Sequence, residues 1–114
     1  MKNSNKKQSV CVVGLGFVGL TLSAVMAQAG FKVHGIEKEK FILDKLKKKQ
    51  SHFYEPNLDE LLRKLIKKKK FSFSKKYKDI KSNIYIITVG TPLNERKQII
   101  TKSIKDTCKE ISKK

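Results

Sequence analysis

The chain has 114 residues, with 27 lysines and arginines against 10 acidic residues, which gives a formal net charge of +17. This length accommodates one small domain, and a hydrophobic content of 39% suffices for a single compact core. No apolar run approaches membrane-spanning length, and the two cysteines, Cys11 and Cys108, form neither a disulfide framework nor a metal-binding spacing. We therefore expect a cytoplasmic protein without a membrane partner or a bound metal.

The basic charge raises the alternative of a nucleic-acid-binding protein. However, the only arginines are Arg63 and Arg96, and no aromatic residues alternate with the basic ones as a base-stacking surface requires. The lysine clusters fall near the predicted helix ends and in the tails, where lysine suits the helix dipole or is simply solvated. We interpret them as solvated surface and expect no nucleic-acid partner.

Strands and helices alternate in the first half of the chain. Residues 1–9 form a polar, basic tail that we expect to be disordered. Residues 10–13 are continuously apolar, which is typical of a strand that is covered on both faces. The uncharged residues 20–29 predict a buried helix ended by a glycine, residues 32–37 predict a second strand, and residues 38–49 predict a second helix.

A loop over residues 51–56 leads to a third helix. Asn57 is expected to cap that helix, with Glu60 three residues later to complete a capping box. Alternating phenylalanine and serine over residues 71–74 predict a short third strand, and residues 77–81 predict a brief helical turn.

The last part of the chain contains the clearest strand pattern, over residues 84–89. Ile104, Cys108 and Ile111 lie one helical turn apart and predict a final amphipathic helix. We expect Cys108 on its apolar face and Cys11 in the first strand to be small core residues. The alternation of elements predicts an α/β fold, a Rossmann-like doubly wound parallel sheet that is incomplete, with about four strands.

The first strand runs into Gly14, Gly16 and Gly19, which match the pattern G-x-G-x-x-G between a strand and a helix. The first glycine permits a tight turn, the second lets a pyrophosphate approach the backbone, and the third lets the helix pack closely on the sheet. The amides of Phe17 and Val18 would lie at the helix N-terminus, where an anion is favoured. The motif predicts a dinucleotide site.

Glu37 ends the second strand about 20 residues beyond the glycines, at the spacing expected of the residue that binds the adenosine ribose. Its carboxylate would repel a 2′-phosphate and so favour NAD over NADP, although Lys38 beside it would soften that preference. The alternative is that the glycines form only a tight turn and Glu37 is an ordinary surface carboxylate. That alternative explains each piece but not their joint spacing.

A second candidate site lies where the strand over residues 84–89 ends, at Gly90, Thr91 and Pro92. Ligands of open α/β sheets bind outside the carboxyl ends of the strands, so Thr91 could reach the cofactor with its hydroxyl. A Thr-Pro pair could equally serve only to end the strand. The spacing alone leaves both interpretations open.

Three sequence segments together resemble the nucleotide-sugar dehydrogenase family, which includes the UDP-glucose, GDP-mannose and UDP-N-acetylmannosamine 6-dehydrogenases. They are residues 12–20, the run Glu55-Pro56-Asn57-Leu58, and the run Val89-Gly90-Thr91-Pro92. The resemblance covers nearly the whole chain from Val10. It implies a domain over residues 10–114 that binds NAD through Phe17 and Val18 at the pyrophosphate, Glu37 at the ribose and Thr91 further along.

The resemblance also implies a reaction, the oxidation of the C6 alcohol of a nucleotide-linked sugar to a carboxylate with two NAD molecules and a catalytic cysteine. His52, in the run before Glu55, is more similar to the N-acetylmannosamine branch, but we favour a solvated loop residue over any direct chemical role for it. Two departures are that the family usually has aspartate where Glu37 stands, and a basic residue where Ile42 stands. Lys38 or Lys40 could replace the latter.

The catalytic cysteine of the family, with its supporting lysine and asparagine, has no counterpart in these residues. We therefore expect the N-terminal part of a dehydrogenase, truncated before the catalytic half, which acts on a nucleotide sugar only with the missing half. A homo-oligomer or a partner chain is possible. A non-catalytic NAD-binding module, or a truncated gene product, is the alternative.

Overall fold

The computed structural model describes residues 8–77, 82–89 and 102–112. Within these ranges the strands and helices alternate in the predicted manner. In chain order they are β1 (Ser9–Val13), α1 (Phe17–Gln28), β2 (Lys32–Ile36), α2 (Lys40–Lys47), α3 (Leu58–Lys67), β3 (Phe71–Ser74), β4 (Ile84–Ile87) and α4 (Lys102–Ser112). The four strands form one parallel sheet in the order β3-β2-β1-β4. The predicted Rossmann-like α/β fold is confirmed.

β1 lies at the centre of the sheet and is buried on both faces, which explains its continuous apolar sequence. Val12 pairs with Gly35 of β2 on one side and with Ile86 of β4 on the other. Alternate side chains of β1 enter two separate cores. Val10 and Val12 face one of them, and Cys11 and Val13 face the other.

The first core lies between the sheet and the helices α1, α2 and α3. Its buried helical side chains include Leu20 of α1, Leu46 of α2 and Leu62 of α3. The second core is smaller and contains Ile111 of α4 against the opposite face of the sheet. Helices therefore cover both faces, and the doubly wound arrangement is confirmed.

Both helices of the first crossovers differ in extent from the predictions. α1 begins at Phe17, three residues earlier than predicted, because its first backbone hydrogen bond runs from Leu20 N to Gly16 O. The helix therefore includes Gly19, the last glycine of the motif. α2 covers Lys40–Lys47 and so is shorter at both ends than predicted. Lys49 takes a left-handed conformation, with φ of 60°.

Two predictions about side chains are wrong. Asn57 occupies the N-cap position of α3, but it has a left-handed backbone (φ 65°) and its side chain makes no capping bond. In place of a capping box, Asp59 Oδ1 accepts a hydrogen bond from the amide of Ser51 at 2.8 Å. Cys108 is exposed rather than buried, because α4 turns Thr107 towards the sheet instead.

Three expectations lie outside the described residues. They are most of the basic tail, the helical turn after Tyr77, and the Gly90-Thr91-Pro92 segment. At the start of the described chain, β1 begins at Ser9, one residue before the predicted strand. The Ser9 amide donates a hydrogen bond to Asn83 Oδ1 at 3.2 Å, which links the beginnings of β1 and β4.

Candidate functional site

The first glycine of the motif makes the turn out of β1. Gly14 has φ of 97°, a conformation that residues with a side chain rarely adopt. A β-carbon built on Gly14 would lie 3.0 Å from the backbone carbonyl of Thr88. The turn is held by a hydrogen bond from Gly14 N to Ile36 O at 2.8 Å. Conformation and packing both require glycine here.

The third glycine brings α1 against that turn. A β-carbon on Gly19 would collide with Gly14 O and lie 2.5 Å from Thr88 Oγ1. Thr88 donates from its hydroxyl to Gly14 O at 2.6 Å, and its amide bonds to Val13 O at 2.8 Å. Thr88 thus anchors the glycine turn to β4. The sequence analysis did not single it out, although a threonine near the end of an otherwise apolar strand is a usable signal.

The middle glycine differs from the other two. Gly16 has φ of −73° and ψ of −161°, an extended conformation that any residue adopts. Among the described residues, no heavy atom lies within 4 Å of a β-carbon built on it. Neither conformation nor protein packing explains a glycine at this position. The space beside its backbone is open.

The start of α1 has no side-chain cap and no acidic residue in its first turn. The amides of Phe17 and Val18 precede the first bond within the helix, so the helix itself supplies them with no acceptor. The side chains of both residues are largely exposed. This helix end therefore offers backbone donors and a partial positive charge to an anion beside Gly16.

Glu37 directly follows β2 and is only 7% exposed. Its Oε1 accepts a hydrogen bond from Leu15 N at 2.7 Å, and its Oε2 accepts one from Glu39 N at 2.9 Å. The carboxylate thereby ties the glycine turn to the turn before α2. A carboxylate has about four acceptor positions, so two remain for hydroxyl donors.

A cavity of about 790 Å³ joins these features. Its lining includes five of the predicted site residues, which follow the carboxyl ends of β1 and β2. They are Gly14, Gly16, Phe17, Val18 and Glu37. Gly19 lies beneath the turn, and Thr91 is outside the described residues. A volume of this size falls in the range of cofactor sites.

The family resemblance leads one to expect a basic residue at position 42, where this chain has isoleucine. Ile42 is buried in the core and lines the cavity. Of the two candidate replacements, Lys40 is exposed and pairs with Asp44 at 2.8 Å, whereas Lys38 lines the cavity. Of the two candidates, Lys38 is thus the one at the cavity, whose lining also includes Lys75.

The loop before α3 packs against the start of α1. Phe53 contacts the ring of Phe17 with centroids 5.0 Å apart, and His52 contacts Phe53 at 4.9 Å. Burial lowers the pKa of His52, and the negative charge of Glu37 opposes that shift. His52 is therefore a partly buried neighbour of the site rather than a solvated loop residue.

Other kinds of site are not seen in the described part of the chain. Over residues 8–77, 82–89 and 102–112, no group of three potential ligands among His, Cys, Asp and Glu could hold a metal. None of the helices in those ranges is long and apolar enough to cross a membrane. Neither Cys11 nor Cys108 forms a disulfide within those ranges.

A doubly wound parallel sheet, with a glycine turn after its first strand and a carboxylate after its second, defines a dinucleotide-binding α/β domain. Residues 8–114 match the family model described as UDP-glucose/GDP-mannose dehydrogenase family, NAD binding domain, and the chain belongs to that family. NAD is accordingly the cofactor of this domain. The open space at Gly16 and the acceptor positions left on Glu37 fit that group.

Named relatives support the same assignment. The chain is 31% identical over 86 residues to the UDP-N-acetyl-D-mannosamine dehydrogenase of Pyrococcus horikoshii, covering 75% of this chain and 21% of that protein. It is 30% identical over 107 residues to the UDP-glucose 6-dehydrogenase YwqF of Bacillus subtilis, covering 92% of this chain and 24% of that protein.

A solved structure agrees with these sequence matches. The UDP-N-acetyl-mannosamine dehydrogenase Cap5O from Staphylococcus aureus superposes with a TM-score of 0.82 and 28% identity, covering 90% of this chain and 25% of that one. The chain thus spans about a quarter of the length of the relatives that it matches.

Proposed function

We propose that the cavity holds NAD, with its pyrophosphate beside Gly16 and on the amides of Phe17 and Val18. The adenosine ribose donates its hydroxyls to the free acceptor positions of Glu37. Gly14 and Gly19 shape the turn that presents those amides, and the proposal keeps Thr91 as a further cofactor contact. Glu37 favours NAD over NADP because its charge repels a 2′-phosphate.

The observation that carries this proposal is the open space at Gly16. Gly14 and Gly19 are needed by the protein itself, since their β-carbons would meet Thr88 or the turn. Gly16 has no such need in the described structure, so its missing side chain serves a ligand. The uncapped start of α1 beside that space supplies the donors that a diphosphate requires.

The proposal extends to the whole enzyme. The chain provides the NAD-binding part of a nucleotide-sugar 6-dehydrogenase that oxidises the C6 alcohol of a UDP-sugar to a uronate in the cytoplasm. The names of the relatives support this class of substrate. Cys11 is fully buried in β1, and Cys108, although exposed on α4, does not line the cavity. The proposal therefore places the catalytic cysteine in the part of the enzyme that this chain does not cover. That part is supplied in the same polypeptide or by a partner chain.

The test compares NAD binding by the wild-type chain and by Gly16→Val, using isothermal titration calorimetry. We expect wild type to bind NAD more tightly than NADP and Gly16→Val to show no measurable binding, because the valine fills the place of the pyrophosphate. Thermal unfolding should change little, since the new β-carbon meets no protein atom in the described structure.

A matched control is Val25→Ala, an exposed position on the same helix that does not line the cavity. It should bind NAD as wild type does. Unchanged affinity in Gly16→Val would show that the pyrophosphate does not bind beside this glycine. Failure of wild type to bind NAD would overturn the proposal as a whole.

A further inference from the structure

Four rings form a continuous chain of edge contacts that reaches the cavity at Phe17. Phe17 contacts Phe53 with centroids 5.0 Å apart, Phe53 contacts His52 at 4.9 Å, and His52 contacts Phe41 at 5.8 Å. The interplanar angles are 61°, 87° and 78°, so every pair is of the edge-to-face type. We call these four residues the ring chain.

The ring chain joins the two segments that the proposed NAD site depends on. Phe17 is the first residue of α1 and carries one of the amides proposed for the pyrophosphate. Phe41 lies in the first turn of α2, shortly after Glu37. Glu37 links the same two segments through its bonds to Leu15 N and Glu39 N. The ring chain is thus a second connection between them.

The two outer rings of the ring chain are largely exposed. Phe17 is 58% exposed and Phe41 is 59% exposed, so neither ring contributes much to the core. The middle of the ring chain is held more firmly. The Ser51 amide is bound by Asp59, and the Ser51 hydroxyl donates to the carbonyl of Phe53. A loop held by these hydrogen bonds therefore places two rings against the first turns of α1 and α2.

His52 is the centre of this arrangement. Its ring contacts both Phe41 and Phe53, while its Nδ1 is buried without a hydrogen-bond partner among the described residues. A histidine placed for hydrogen bonding would satisfy that atom. The geometry therefore indicates that the site uses the flat ring rather than Nδ1.

We propose that His52 is a positioning residue for NAD, which acts through Phe53 and Phe17 to hold the first turn of α1 in the orientation that its amides need. The inference rests on the proposed NAD site. A site held in its binding geometry before the ligand arrives spends less of the binding energy on ordering. Loss of the ring chain should therefore weaken NAD without unfolding the domain.

The experiment measures NAD affinity by calorimetry for His52→Ala, His52→Phe and Tyr54→Ala. Because His52→Ala removes two edge-to-face contacts, it should raise the dissociation constant by roughly 5–10-fold. His52→Phe keeps the ring and should stay within about twofold of wild type. Tyr54→Ala is the matched control, because Tyr54 lies in the same loop, is 87% exposed and makes none of the ring contacts.

A second readout separates positioning from general stability. In ¹⁵N relaxation measurements without NAD, His52→Ala should increase motion at the amides of Phe17 and Val18 but leave Val33 and Leu62 unchanged. If His52→Ala does not fold, Phe41→Leu removes one outer ring at an exposed position and should weaken NAD about 2–3-fold.

The outcomes distinguish this inference from the proposed function. If wild type does not bind NAD, the proposed function fails, and the relaxation measurement still tests the ring chain. If wild type binds NAD and His52→Ala binds it equally with unmoved amides, the positioning role is refuted while the NAD site stands. Loss of affinity in His52→Phe as large as in His52→Ala would also refute it, because the ring would then not be what matters.

Discussion

Gly35, within β2, allows a side chain of the glycine turn to enter the core. Leu15 is fully buried, although both of its neighbours are glycines at the surface of the site. A β-carbon on Gly35 would lie 2.6 Å from Leu15 Cδ1 and 3.0 Å from Leu15 Cγ. Glycine within a strand often marks such a close approach. Leu15 thus connects the glycine turn to the sheet.

Gly35→Ala should consequently destabilise the domain by about 1–3 kcal/mol, since an added methyl group overpacks a filled core. Chemical denaturation measures this free energy of unfolding. In the double variant with Leu15→Ala the clash disappears, so alanine at position 35 should cost much less than it does alone. Strictly additive effects of the two substitutions would show that this contact does not determine the cost.

At the scale of elements, three helices end in the same way but with different residues. Beyond each of α1, α2 and α3, a backbone amide donates to the carbonyl five residues earlier, as in the Schellman motif. The three hydrogen bonds run from Phe31 N to Met26 O, from Gln50 N to Lys45 O and from Lys70 N to Leu65 O. The left-handed position is Gly30 after α1, but Lys49 and Lys69 after α2 and α3, each with φ of 60°. Lysine is strained in that conformation.

Lys49→Gly and Lys69→Gly should each stabilise the domain by about 0.5–1 kcal/mol, because glycine adopts the left-handed conformation without a steric penalty. Urea denaturation gives the free energies of unfolding. Lys48→Gly and Lys68→Gly remove the same charge one residue earlier, where φ is −90° and −83°. These controls should not be stabilising. Equal gains in all four variants would mean that loss of positive charge, not backbone strain, is responsible.

Strands and helices were predictable where a local pattern determines them. The continuous apolar run of β1 and the alternating phenylalanines and serines of β3 indicate strands without tertiary information. The capping of α3 was not predictable, because Asp59 binds the amide of Ser51, which only the folded loop brings near. Cys108 was misplaced because helical spacing does not fix which flank of α4 meets the sheet.

In the candidate site too, some residues were predictable from a local pattern and others depend on tertiary packing. The three glycines and Glu37 follow a sequence pattern, and the structure brings Gly14, Gly16 and Glu37 to one cavity with Gly19 packed beneath the turn. Thr88 and His52 do not follow such a pattern. Thr88 reaches Gly14 O across two neighbouring strands, and His52 reaches the site through Phe53, so both contacts depend on tertiary packing. Local spacing therefore identified residues that line the cavity, but not Thr88, which packs against them, or His52, which reaches them through Phe53.

At the scale of the whole molecule, β4 ends the described sheet. In the order β3-β2-β1-β4 it pairs with β1, and its residues are apolar. Ile84 is 37% exposed, and the following three residues are only partly buried. Apolar edge strands tend to pair with other chains. The net charge of +17 opposes that association by repulsion, which salt screens.

We therefore predict that this 114-residue chain associates with itself in a manner that increases with protein concentration and with salt, as measured by sedimentation velocity. Ile84→Lys places a charge at the edge and should weaken the association by about tenfold or more, since pairing would bury that charge. Val25→Lys adds the same charge at an exposed position of α1 and should change it little. A monodisperse monomer at high salt, or an equal effect of both lysines, would contradict pairing through β4.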